Sequence, residues 1–389
     1  MVYAAAWAVA GWLWNGPPSD LNNFFLPAVR IALSGHPLLI YTARFQNVIA
    51  NDNGPLGLVP LTALAAVASW LGWLGDERLF RALVMGAFSI FSLLMAREAV
   101  AAIDRLRGAR LAGRSRLLAY AVFVLSPTLV NAVLGYGHIE QPITVWLVLL
   151  GVRLLGGGRS AAAGISLGLA ILTRSLAALP MIPLAVLLLV RGRWRGLIAL
   201  GGSAAVTIAL GLSPFLFADP TDTIYSLITH RAMRPVGGGS LWQLLVGTPY
   251  LWIPQRIDIV FVLGLAALLS LIVIIARRDL QPSSRDLYGL LALTALTLPL
   301  LAKSVWPYYF LDAYVFGAVW WLGQAEPLAL RRRLVAVAIP LVAFLGTLLT
   351  EYEMPSSAVH VRLLEGVTMG AILSALLVAL AIRLRRSQA

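Results

Sequence analysis

Cysteine is absent from the 389-residue chain, which excludes disulfides, zinc–thiolate centres and thiol catalysis. Charge is scarce too: Asp, Glu, Lys and Arg together make up 12% of residues, against about a quarter in an ordinary soluble domain. That excludes an ordinary globular enzyme and a disordered chain alike. Lysine is almost missing, because Lys303 is the single lysine among the 30 basic residues. No G-x-x-x-x-G-K-[ST] segment occurs, which argues against P-loop nucleotide hydrolysis. What fills the chain instead is apolar, at 60% of residues, arranged in long runs. A polytopic, all-α membrane protein follows. The formal charge of +13 does not indicate nucleic acid, because the arginines sit in short clusters between apolar runs rather than along one amphipathic face. No cleavable signal is expected, since the first apolar run leads directly into the rest of the chain.

A membrane-spanning helix needs about 20 apolar residues, fewer inside a bundle. Twelve spans are predicted, near 1–15, 79–98, 117–135, 141–155, 160–176, 177–190, 197–216, 257–276, 287–302, 308–322, 334–350 and 365–384. The apolar stretch 56–74 decides the parity of everything after it. If it stays on one face as a juxtamembrane or re-entrant helix, about two thirds of the 30 Lys+Arg fall on the same side, as the positive-inside rule requires. The four histidines and most of the 17 acids then fall on the other, outer side. One transmembrane domain, 1–389, is expected. Its long outer loops are 16–78, which carries juxtamembrane helices, 217–256 and 351–364. Long loops rich in apolar and aromatic residues point to function rather than disorder.

Four outer segments carry candidate chemistry. In the first loop, Ser19 can cap an interfacial helix with Leu21, Phe24, Phe25, Ala28 and Ala32 on one side and Asn22, Asn23 and Arg30 elsewhere. Asp20 would sit in its first turn, placed either to act as a base at the membrane surface or to complement the helix dipole. Asp52, in Asn51-Asp52-Asn53-Gly54-Pro55, reads as a turn residue or as a helper to Asp20. Gly135-Tyr136-Gly137-His138-Ile139-Glu140-Gln141-Pro142 crowds polar groups at a membrane boundary, where they are costly unless they line a cavity. The bland alternative is a solvated turn with Pro142 opening a helix. His230-Arg231-Ala232-Met233-Arg234, followed by Gly237-Gly238-Gly239, suits a phosphate or a lipid headgroup. Lys303, in Lys303-Ser304-Val305-Trp306-Pro307-Tyr308-Tyr309, is placed for a phosphate or carboxylate partner, or for snorkelling beside an aromatic belt. Glu351, Glu353 and His360 read as a solvated loop.

Taken in order, these parts resemble the GT-C superfamily of membrane glycosyltransferases that use polyprenyl-phosphate sugars. The resemblance covers residues 1–325. It rests on Pro17-Pro18-Ser19-Asp20 opening a long outer loop, Asn53-Gly54-Pro55-Leu56-Gly57 opening a non-spanning helix, Gly137-His138-Ile139-Glu140, and the run from Gly164 to Arg174. The last two are similar to the "G-Q/H-x-D/E" and "AGxxLGLAxxxK/R" segments of polyprenol-phosphate mannose or glucose transferases. The resemblance implies that Asp20 is the catalytic base, with Asp52 or Glu140 as a second acid. It implies that Arg231, Arg234, Lys303 and His230 hold the donor phosphate, and that His138, Tyr308 and Tyr309 line the substrate site. The family often has a paired acid where this chain has Ser19-Asp20-Leu21-Asn22, a departure that points to a metal-independent reaction. No cofactor is expected, although Mg or Mn stays open. The implied activity is inverting transfer of mannose or another hexose to a lipid, glycan or protein, at the extracytoplasmic face of the plasma membrane. The rival reading is a transporter or flippase of a lipid-linked sugar, which would place charges within broken helices at the midplane. Such charges are nearly absent here.

Overall fold

The computed structural model describes residues 1–14, 20–42, 51, 53–230, 234–237, 240–324 and 359–386. Among these the chain is helical, without strands. The first helices are α1 (Val2–Leu13), α2 (Leu26–Leu33, entered through a π-turn at Leu21–Phe25), α3 (Pro55–Trp70), α4 (Glu77–Arg107), α5 (Gly113–Val124) and α6 (Pro127–Val130). They are followed by α7 (Gln141–Gly156), α8 (Ser160–Thr173), α9 (Ala178–Val190), α10 (Trp194–Ala218) and α11 (Pro220–Ile224). The last five are α12 (Trp252–Ala276), α13 (Arg285–Ala295), α14 (Thr297–Leu301), α15 (Phe310–Leu322) and α16 (Val359–Arg386).

Among the described residues, four helical segments are long and apolar enough to cross a bilayer by themselves: Glu77–Arg107, Gly113–Gly135, Trp194–Ala218 and Trp252–Ala276. Of the other predicted spans in described residues, 365–384 falls within the long helix α16 and the rest overlap shorter apolar helices; the one at 334–350 lies outside the described residues. Residues 287–302, read as one span, form two helices that meet at Leu296. Ile198, Val206, Leu210 and Phe217 on α10, with Val260, Leu268, Ile272 and Ile275 on α12, are exposed large apolar side chains. Only hydrocarbon can solvate such a surface without cost. The protein is an integral membrane protein.

Helix ends follow their local chemistry. Asp76 caps α4 by accepting from the amides of Arg78 and Leu79, both at 3.0 Å. Gly108 ends α4 in the left-handed conformation at φ 66°. The amphipathic reading of the first outer loop holds over α2 and its π-turn: Leu21, Phe24, Phe25 and Ala28 are buried, whereas Asn23 and Arg30 are exposed. Ser19, the expected cap, lies outside the described residues.

Inside the bundle, close packing depends on missing side chains. A Cβ on Gly164 of α8 would run into Ser203 Oγ and the Leu200 carbonyl of α10, and one on Gly168 would come 2.8 Å from Thr207 Cβ. Small residues spaced four apart let the two backbones touch, as in other membrane helix pairs. We expect Gly164→Val to force α8 and α10 apart at a cost of about 1–3 kcal/mol. Thermal unfolding in detergent would report it as a lowered midpoint, and an unchanged midpoint would contradict this packing.

Candidate active site

The first outer loop and the loop between α6 and α7 are tied together by backbone. The Asp20 amide donates to the Tyr136 carbonyl at 3.0 Å. Gly137 takes φ 72°, a left-handed turn that side chains resist, and this reverses the chain so that the His138 amide reaches the Ala132 carbonyl at 2.9 Å. The turn aims the His138 imidazole between two carboxylates. Nδ1 lies 2.6 Å from Glu140 Oε1, and Nε2 lies 2.7 Å from Asp20 Oδ2. The first contact is a hydrogen bond and the second an ion pair.

The three groups form a chain graded by burial. The Glu140 side chain is 0% exposed, His138 4% and Asp20 16%. Burial opposes the charged imidazole, but the Glu140 and Asp20 carboxylates outweigh it and raise the His138 pKa from 6.5 to about 9. At neutral pH His138 is therefore an imidazolium clamped by two anions. Because its pKa is raised by folding, the stabilisation is complete below pH 6.5 and is lost as pH climbs through about 9. The unfolding temperature of the wild type should fall across that window. His138→Gln should remove that component of the slope, and an identical pH profile in the variant would refute the clamp.

Asp20 opens onto a small cavity of about 40 Å³ that is continuous with solvent. Asn53, His138, Arg174, Arg234, Tyr308 and Tyr309 also line it. Its aromatic wall comes from the turn before α15. The rings of Trp306 and Tyr308 are parallel at 6.3 Å, Tyr308 meets Tyr309 edge-on at 4.9 Å, and Tyr308 lies 3.7 Å from the His138 ring. The Tyr308 carbonyl accepts from the Gln141 side chain, which fixes the turn to the start of α7. Arg174, at the end of α8 and itself buried, sits 5.1 Å from the centre of the Tyr308 ring and 5.7 Å from that of Tyr309. A guanidinium stacked on rings loses little freedom when it then binds an anion. Arg234 is placed 5.2 Å from the centre of the Phe24 ring.

Glycines fit this site together. A Cβ on Gly54 would strike the Leu172 carbonyl at the end of α8, and one on Gly57 would come 3.0 Å from Glu140 Cβ. Asn53–Gly57, Glu140 and the Leu172–Arg174 end of α8, far apart in sequence, thus meet at one point.

Of the residues singled out from the sequence, Asp20, His138, Arg234, Tyr308 and Tyr309 share this cavity. Glu140 lies behind His138, away from the lining. Lys303 is buried beside it, its Nζ donating to the Gln255 carbonyl at 3.0 Å and its amide to Asp258 Oδ2 at 3.0 Å. A smaller space of about 10 Å³ is lined by Lys303 together with Arg234, Ser304, Trp306 and Tyr309, so it adjoins the first through Arg234 and Tyr309. His230 packs near Phe24 and Tyr225, each at 6.3 Å between ring centres. Asp52 and Arg231 lie outside the described residues. Among the described residues no group of three or more His, Cys, Asp or Glu side chains is arranged to hold a metal ion. Arg174 and Asn53 were not singled out as site residues. The signal for Arg174 was an arginine ending an apolar helix on the outer side, where the positive-inside rule disfavours one.

Compared with protein families and with curated proteins, the sequence has no match. The fold does. The crystal structure of ArnT from Cupriavidus metallidurans bound to undecaprenyl phosphate superposes with a TM-score of 0.50 at 18% identity, covering 99% of this chain and 76% of that one. The chain therefore has an ArnT-like fold, in agreement with the GT-C-like architecture expected from the sequence.

Proposed function

We propose that the protein is an inverting glycosyltransferase that moves a sugar, mannose or another hexose, from a polyprenyl-phosphate donor to a lipid, glycan or protein acceptor at the outer membrane face. The observation that carries this reading is the Glu140–His138–Asp20 chain ending at a cavity that also holds Arg174 and Arg234. The fold shared with ArnT, a protein solved with undecaprenyl phosphate bound, supports a lipid-phosphate donor.

Each residue has a role in the reaction. Asp20 takes the proton of the acceptor hydroxyl as its oxygen attacks the anomeric carbon. The bond from that carbon to the phosphate oxygen breaks on the opposite side, so the configuration inverts and the electron pair leaves with the polyprenyl phosphate. Arg174 and Arg234 stabilise the charge that develops there, and Lys303 serves the same phosphate from the adjoining space. His138, held by Glu140, positions Asp20, while the Tyr308–Tyr309 wall packs against the sugar. Neither a cofactor nor a metal is assigned a step.

The test is to supply the purified protein in nanodiscs with a panel of radiolabelled polyprenyl-phosphate sugars and membrane extract. Release of polyprenyl phosphate together with a glycosylated product supports the assignment. Movement of intact lipid-linked sugar between leaflets, without turnover of any donor, would replace it with a transporter.

A further inference from the structure

The end of the bundle remote from Asp20 carries a second charged cavity. Along α8, whose 14 residues rise about 20 Å, the Arg174 end faces the candidate active site and the Ser160 end faces the arginine-rich side. At that side a space of about 590 Å³ opens between the ends of α7, α8, α9 and α10, and a second of about 480 Å³ shares Gly158, Ser160, Arg195 and Gly196 with it.

Two features of this place oppose ordinary helix chemistry. First, α8 and α10 run parallel, since Gly196 lies beside Ser160, Gly164 beside Leu200, and Gly168 beside Ala204. Their positive dipole ends, each with unpaired first-turn amides, therefore sit side by side on the same face. Second, neither end is compensated. The residue at each cap position is an arginine, Arg159 for α8 and Arg193 for α10; no side chain caps either helix, and no acidic residue stands in either first turn. Arg195 adds a third cation in the first turn of α10. All three arginines are exposed; Arg193 is held by the neutral Gln281 at 3.2 Å, and among the described residues no carboxylate pairs with any of the three.

We infer that this cavity binds the phosphate of an anionic glycerophospholipid, whose charge completes both helix ends at once. The lining favours a phospholipid over a free anion. Leu155 and Leu188 supply an apolar wall beside the arginines, and Trp194, 57% exposed, stands where indoles pack at the headgroup boundary. Basic pockets between membrane helices on the positive face are the known geometry for anionic headgroups.

The experiment uses the full chain, delipidated in detergent, with native mass spectrometry and thermal unfolding in the presence of phosphatidylglycerol, phosphatidylcholine or inorganic phosphate. Wild type should hold phosphatidylglycerol roughly tenfold or more tightly than phosphatidylcholine, as three arginines near a headgroup imply. The triple variant Arg159→Gln/Arg193→Gln/Arg195→Gln should lose that preference to within about twofold. A second variant, Arg159→Asp/Arg193→Asp, gives each helix its own carboxylate cap. It should unfold at a higher temperature than wild type in phosphatidylcholine and gain nothing from phosphatidylglycerol. Equal binding of the two lipids by wild type, or an unchanged preference in the glutamine variant, would overturn the site. Equal stabilisation by inorganic phosphate alone would overturn the phospholipid as its occupant.

Discussion

Asp20→Asn should lower sugar transfer by roughly 10²–10⁴-fold, the range general-base catalysis contributes, while donor binding stays within about twofold of wild type. The asparagine keeps the size of the side chain and its place beside His138, but it cannot accept a proton from an incoming hydroxyl. Asp20 is the most exposed member of its chain and faces the cavity, whereas Glu140 is fully buried behind the imidazole. Glu140→Gln should therefore be milder, because it loosens the positioning of His138 without removing the group that meets the acceptor. Paired measurements of transfer rate and donor affinity check both variants. Full turnover by Asp20→Asn would show that the base lies elsewhere.

The second large effect is expected at Arg174. Arg174→Gln should reduce kcat/KM by roughly 10²–10³-fold, the loss typical of removing one group that stabilises developing charge in a water-poor site. Arg174→Lys should recover only part of it, since an ammonium neither stacks on Tyr308 and Tyr309 nor offers two parallel N–H donors to a phosphate. An unfolding temperature close to wild type separates this from collapse of the α8 end. Wild-type kinetics in Arg174→Gln would remove the donor phosphate from this part of the cavity.

Part of this arrangement was legible in the sequence because it depends on local chemistry. The face of α2 that carries Leu21, Phe24, Phe25 and Ala28 follows from a spacing of three and four, and those residues are buried. The loop from Gly135 to Gln141 stands out because polar groups at a membrane boundary need partners. What stayed hidden depends on contacts across long separations. Asp20 and His138 meet through a backbone hydrogen bond to Tyr136, and nothing in either segment alone announces it. Arg174 could be counted as one more outer-face base, but its stacking on Tyr308 and Tyr309 becomes visible only once α8 and α15 are placed. The membrane obscures span counting in the same way. Helices as short as α7 and α15 are buried among neighbours, so their length says little about whether they cross by themselves.

Binding and turnover of a lipid-phosphate sugar beside Asp20 is tested most directly by a structure of Asp20→Asn, slowed in chemistry, with a polyprenyl-phosphate sugar bound. The phosphate should lie within hydrogen-bonding reach of Arg174 and Arg234, with the sugar against Tyr308 and its anomeric carbon facing the side chain at position 20. A donor seated away from this cavity, with neither arginine at its phosphate, would contradict it.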